Sequence, residues 1–183
     1  MALDTNYYPA QAKLILTPTN YTGGGTDLGK VASVHTASFN PQFEFLTEHG
    51  TGSIPVDARI TGINVVYMLH MLDFSESLLG VLFNKTNNTD RWQGFTGYNL
   101  GALLGTSQLS KFLVMPIVDA GTVDATKPML YIPRGVCISA FNAVWDRRAA
   151  HTSGWVLQIM ALYDSTLGAP AAYGDSADFP AIT

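Results

Sequence analysis

The stretch from Leu28 to Phe83 most constrains what this chain can become. Two long extended patterns, residues 31–39 and 60–72, flank a turn-rich segment, Thr47-Glu-His-Gly-Thr-Gly-Ser-Ile-Pro-Val56. The second leads into Asp73-Phe-Ser-Glu76, an N-cap with an acidic partner three residues on. Leu78, Leu79, Leu82 and Phe83 then supply one apolar helical face, so residues 73–83 are expected to form a short helix. Strand, long loop, strand and helix in that order suit a part built for assembly.

The two extended patterns differ. In residues 60–72 the odd positions Ile63, Val65, Tyr67, Leu69 and Met71 are apolar, while the even ones, Asn64, Val66, Met68, His70 and Leu72, are mixed. Such alternation puts one face in the core and leaves the other partly wet. Gly62 interrupts the run and predicts a bulge or bend. Residues 31–39 carry small and polar side chains on both parities, which fits a strand that lines water or forms a sheet edge.

Elsewhere, Leu14-Ile-Leu16 is a short strand candidate, and residues 17–29, with Pro18 and three consecutive glycines, read as a loop. Residues 111–118 read as a strand with Pro116 at an edge or bulge. Residues 129–145 form a β run interrupted at Pro133, and residues 155–163 the last core strand. Residues 92–108 are glycine-rich, and 100–104 could pair as a strand. Residues 1–12 read as an arm and 169–183 as a tail. The sum is about seven strands and one helix in one domain over residues 1–183: mainly β, a β-sandwich or barrel with one short flanking α-helix and a long protruding β-hairpin loop.

Hydrophobic residues make up 47% of the 183 and charged residues 13%. The charged share is about half the usual ~25%. Two explanations stand: surface buried against other chains, since charge is depleted at interface cores, or a neutral β-protein rich in Ser, Thr, Asn and Gly. The net charge of −4 and the lack of a polybasic run argue against tight phosphate neutralisation. Cys137 is the single cysteine, so no intrachain disulfide or cysteine-based metal site is expected. No apolar run is long enough for a membrane helix. The N-terminus has no signal-peptide pattern, so folding in a cytoplasm is expected.

Candidate chemistry is sparse. Gly24-Gly-Thr-Asp-Leu-Gly-Lys30 approaches a phosphate-binding loop. That motif needs a hydroxyl where Val31 stands, and a helix where an extended pattern follows. His35, His49, His70 and His151 are scattered without metal-ligand spacing, and His70 is expected to be a packed or interface residue. No serine sits in a nucleophile-elbow motif. Cys137 lies in a β run and reads as a small buried hydrophobe. Asn20, Asn84 and Asn87 begin Asn-x-Ser/Thr triplets, read here as loop chemistry. Neither enzymatic activity nor a cofactor is expected. Glu44, Glu48 and Asp57 gather around the loop between the long strands. They are either ordinary solvated charge or an acidic surface that faces DNA without gripping it.

The pattern Pro41-x-Phe43-x-Phe45, Gly50-Thr51, Ile54-Pro-Val-Asp57 and Ile60-Thr-Gly62, followed by a β run and Asp73-Phe-Ser-Glu, resembles the tail tube proteins of long-tailed, siphovirus-like bacteriophages. Tyr131-Ile-Pro-Arg-Gly-Val136 and the strand 155–163 resemble that family's closing half. The resemblance covers roughly residues 28–163. It implies a virion structural protein of the tail, assembled in the host cytoplasm. Six copies would form a ring, and rings would stack around a channel through which DNA passes non-specifically at ejection. Partners would be further copies and other tail proteins, with no membrane.

The stacking loop implied is Thr47, Glu48, His49, Gly50, Thr51, Gly52, Ser53, Ile54, Pro55 and Val56, helped by the terminal arms. The lumen would be lined from residues 31–45 and 58–72, with Ser33, Thr36, Ser38, Glu44 and Asp57 as candidates. Two alternatives stand beside this one. A neck, connector or distal ring of the same fold family is one. The other is a β-sandwich binding or decoration module using Trp92, Phe95 and Tyr98.

Overall fold

A computed structural model describes residues 11–22, 24–28, 31–47, 52–71, 109–117, 122–124, 126–139 and 155–182. The expected helix 73–83, the segment 92–108 and most of the N-terminal arm lie outside them. The described residues are mainly β: β1 Gln11–Leu16, β2 Thr26–Asp27, β3 Val31–Thr47, β4 Pro55–Met71, β5 Ser110–Ile117, β6 Met129–Cys137, β7 Trp155–Ala161 and β8 Ala172–Gly174. They form a single antiparallel sheet in the order β2-β1-β5-β6-β7-β4-β3. β8 pairs with β6 on the side away from β5, because Leu130 is opposite both Val114 and Tyr173. The sheet is thus continuous where two were an option. Its ends bend toward each other, with β1 and β3 within 8 Å.

Alternation builds two apolar layers. Leu14, Leu16, Phe112, Val114, Leu130 and Ile132 face the main core, where Val65, Tyr67, Leu69, Met71, Leu157 and Ile159 join them. The intervening Ile15, Leu113, Met115, Met129 and Tyr131 face the other way. The C-terminal segment covers that second layer, laying Ala172, Phe179 and Ile182 on it. The Tyr21 hydroxyl donates to the Pro180 carbonyl at 2.6 Å, and its ring meets Tyr131 and Phe179 edge-on. Burial, and then Tyr131 beside it, push the Tyr21 phenol up to about 12. Residues 169–182, most of the segment read from sequence as a tail, take part in the domain's packing.

Four further readings change. The segment read as loop 17–29 contains β2 and a core residue, Leu28, whose amide donates to the Leu14 carbonyl at 3.0 Å. Asn20 Oδ1 accepts from the Thr22 and Gly24 amides, turning the chain locally. Gly25, at φ 127°, brings its backbone so near Leu16 and Thr17 that no Cβ fits. Pro116 lies in an interior strand, beyond the last β5–β6 pair, Val114↔Leu130, where its missing N–H costs no bond on that side. β6 runs through Pro133, and the interruption appears as a break in register opposite Lys111. His70 is exposed. Cys137 is buried as expected; burial pushes its thiol up, and its Sγ lies 3.2 Å from Ser139 Oγ.

Candidate assembly interface

β3 and β4 are each 17 residues long, well beyond the extended patterns read from sequence. β7 supports β4 only from Val65 to Met71. Among the described residues, β4 has β3 as its single neighbour over residues 55–64, and β3 is the last strand of the sheet. Those ten residues of β4 and their partners on β3 are exposed on both faces. The result is a two-stranded ribbon projecting about 30 Å at the usual rise per residue.

Register gives the ribbon two unlike faces. Cross-strand partners share a face, so Phe39, Pro41, Phe43 and Phe45 stand beside Val65, Ile63, Ile60 and Ala58. Ile60 and Ile63 have opposite parity and would fall on opposite faces of a regular strand. An irregularity between Gln42↔Gly62 and Phe43↔Ile60 leaves Thr61 as an extra residue, which restores both to one face. The Thr61 hydroxyl donates to the Gln42 carbonyl at 3.3 Å. Gly62 is not sterically required there, since a Cβ would meet nothing within 4 Å.

The apolar face is open. Phe45 is 64% exposed, Ile60 66% and Phe43 50%. Phe43 and Phe45 stack with centroids 6.4 Å apart, and Phe39 lies 5.9 Å from the Tyr173 ring of β8. The stripe is the outward continuation of the core stripe Val65, Tyr67, Leu69 and Met71. Ile54 and Val56 extend exposed apolar surface toward the tip.

The opposite face is mostly polar. Thr36, Ser38, Asn40, Gln42 and Glu44 share it with Asn64, Arg59 and Asp57, while Leu46 at the tip and Val66 and Met68 at the root also fall on it. The Arg59 guanidinium meets the Glu44 carboxylate at 2.5 Å, with both side chains about half exposed or more. Asp57 accepts from the Ala58 amide at 2.7 Å. Of the five residues proposed to line a lumen, Thr36, Ser38, Glu44 and Asp57 thus fall on one face. For Ser33 the structure describes the backbone position in β3 alone. The acidic surface read from Glu44 and Asp57 is partly neutralised, because Arg59, which the sequence reading passed over, pairs with Glu44.

Of the loop residues proposed for stacking, Thr47, Pro55 and Val56 belong to the strands, and Gly52, Ser53 and Ile54 to the turn. Glu48, His49, Gly50 and Thr51 lie outside the described residues. Gly52 has a φ of 65°, the left-handed conformation glycine adopts readily. At the ribbon's root, His35 Nδ1 lies 2.5 Å from the Tyr67 hydroxyl. Burial raises the Tyr67 phenol and lowers the His35 imidazole. The near-phosphate-binding segment runs into a strand at Val31, so no helix N-terminus follows it. Among the described residues no group of His, Cys, Asp and Glu could hold a metal ion.

No family model matches the sequence, and no curated protein does either. Among solved structures, a chain of the anti-feeding prophage baseplate, determined by cryo-electron microscopy with sixfold symmetry, aligns over 96% of this chain and 95% of its own. The identity is 8% and the TM-score 0.39, a level at which neither a shared fold nor a function follows.

Proposed function

We propose that this chain is a structural protein of a phage virion, and more specifically a tail tube subunit that closes into rings around a DNA channel. The two-faced ribbon carries this reading. An isolated two-stranded hairpin is at best marginally stable in water. Soluble monomers rarely expose contiguous apolar patches above a few hundred Å². Phe39, Phe43, Phe45, Ile60 and Ile63 therefore call for a partner surface, while Asn40, Gln42 and Asn64 call for water. A ring of identical copies meets both demands: apolar faces turn into protein and polar faces toward a wet channel.

Such a channel suits transit. With Glu44 paired to Arg59, the polar face offers phosphates little positive charge to hold. The tip, residues 47–56, would contact the next ring. The chain would perform no catalysis and need no cofactor; its partners would be further copies and the proteins at the tube's ends. Negative-stain microscopy of the purified full chain tests the reading. Hollow rings or tubes of regular width are expected, and a compact monomer at high concentration would overturn it.

A further inference from the structure

A second site lies apart from the ribbon's faces. The register row Phe39–Val65–Ala161–Gly135–Ser110 crosses five strands. At its far end, three strands from the ribbon's root, a cleft of about 280 Å³ opens between the start of β5, the Pro133–Arg134 irregularity of β6, the turn after β7 and the C-terminal segment. Its polar groups include Lys111, Arg134, Asp164, Thr166 and the hydroxyl of Tyr131; Leu167 and Pro180 are among its apolar walls.

Their bonding state is informative. Tyr131 is 4% exposed, yet its hydroxyl has no hydrogen-bond partner among the described residues. Among the described residues no side-chain nitrogen or oxygen is sealed without a partner, so this hydroxyl, on a residue that lines the cleft, is accessible from it. Burial, and then Asp164, push the phenol up, which keeps it a donor. Lys111 makes no ion pair among the described residues. Arg134 donates from Nη1 to the Tyr163 carbonyl at 3.0 Å and retains its other donors. Asp164 is engaged: one carboxylate oxygen accepts from the Thr166 and Leu167 amides at 3.0 and 2.9 Å.

We infer that this cleft binds a carboxylate carried on a small apolar body, with Lys111, Arg134 and the Tyr131 hydroxyl on the anion and Leu167 and Pro180 against the body. The charges select the ligand. Two cations beside one fixed carboxylate leave a single positive charge, which matches a monoanion; Asp164 would repel a phosphate dianion. A guanidinium and a phenol together provide the directional donors a carboxylate accepts. The carboxylate is either a free organic acid or an acidic side chain of a second copy. The inference does not depend on the tube reading.

Calorimetric titration of the full chain with phenylacetate, and with phenylacetamide as its neutral analogue, tests the inference in acetate-free buffer. The acid should bind saturably and the amide about tenfold more weakly, the loss expected for hydrogen bonds to a charged group. Lys111→Met and Tyr131→Phe should each weaken the acid by about tenfold. Near-ultraviolet circular dichroism checks that each variant keeps its packing, and Tyr131→Phe retains the ring that meets Tyr21. Sedimentation identifies the source. If phenylacetate or Lys111→Met dissociates oligomers, the native ligand is a second copy's side chain; unchanged oligomers with saturable binding mean a free acid. Equal binding of acid and amide, or variants that bind as the parent does, would overturn the inference.

Discussion

Gly135 shows how a single position sets the packing of the sheet's centre. A Cβ placed there would lie 2.6 Å from two carbons of the Phe112 ring and 3.0 Å from Ile159 Cγ2. Phe112 is 1% exposed and Ile159 0%, so neither has room to retreat. Gly135→Ala should therefore cost about 1–3 kcal/mol, as overpacking does, measured by urea denaturation. The cost should shrink in a Phe112→Leu background, and equal costs in both backgrounds would refute the steric account. His35 offers a second test at this scale. In the neutral tautomer protonated at Nε2, its Nδ1 accepts from the Tyr67 phenol. Burial lowers its folded pKa below the ordinary imidazole value of 6.5, so the unfolded chain binds this proton first. Stability from this group is present above pH 6.5 and is lost as pH falls through the folded pKa. His35→Asn should flatten the stability–pH curve in that acid window; a curve of unchanged slope would show that His35 does not contribute there.

The ribbon is legible in sequence only in part, and the reason is one residue. On β3 the series Phe39, Pro41, Phe43, Phe45 keeps strict period 2, so its apolar face can be read directly. On β4 the extra Thr61 reverses parity, so Ile60 and Ile63 look like members of opposite faces until the register is seen. Turn residues between 50 and 55 made the connection seem longer than it is, although the strands pair as far as Thr47↔Pro55. Arg59 was invisible as a partner for Glu44 because they are 15 residues apart and meet only through that register. The core half of β4 was plain from Val65, Tyr67, Leu69 and Met71, since each is buried at regular spacing. Deleting Thr61 should close the bulge with Ile60 still opposite Phe43 and Ala58 opposite Phe45, leaving the apolar face and the core half both intact. The expected result is thermal unfolding within a few degrees of the parent and rings retained in microscopy; loss of rings would mean that the bend made by the bulge, and not the apolar face alone, is needed. Phe43→Ser with Phe45→Ser should likewise change monomer stability by no more than about 0.5 kcal/mol per site while abolishing assembly. A large drop in stability from the Phe pair would mean the face packs within one chain.

The whole molecule treats its two extra apolar surfaces differently. The outer layer of β1, β5 and β6 is covered by the chain's own C-terminal segment through Ala172, Phe179 and Ile182. The ribbon's apolar face receives Tyr173 at Phe39 and remains open beyond it among the described residues. The same sequence thus seals one surface and leaves the other exposed. The charge content points to the force involved. With 13% charged residues, and with the ribbon's Glu44–Arg59 pair turned to the polar face, the apolar face has few ions to contribute. Association through it should be hydrophobic and largely indifferent to screening. Raising ionic strength from about 0.1 M to 1 M shortens the screening length from about 10 Å to 3 Å. Exposed ion pairs fade over that range, whereas burial of Phe and Ile does not. Sedimentation of the parent chain should therefore show the same assembled fraction at both salts, or a larger one at the higher. Dissociation at high salt would assign the assembly to charge instead, and would move attention from the Phe43–Ile60 face to Glu44, Arg59 and Asp57.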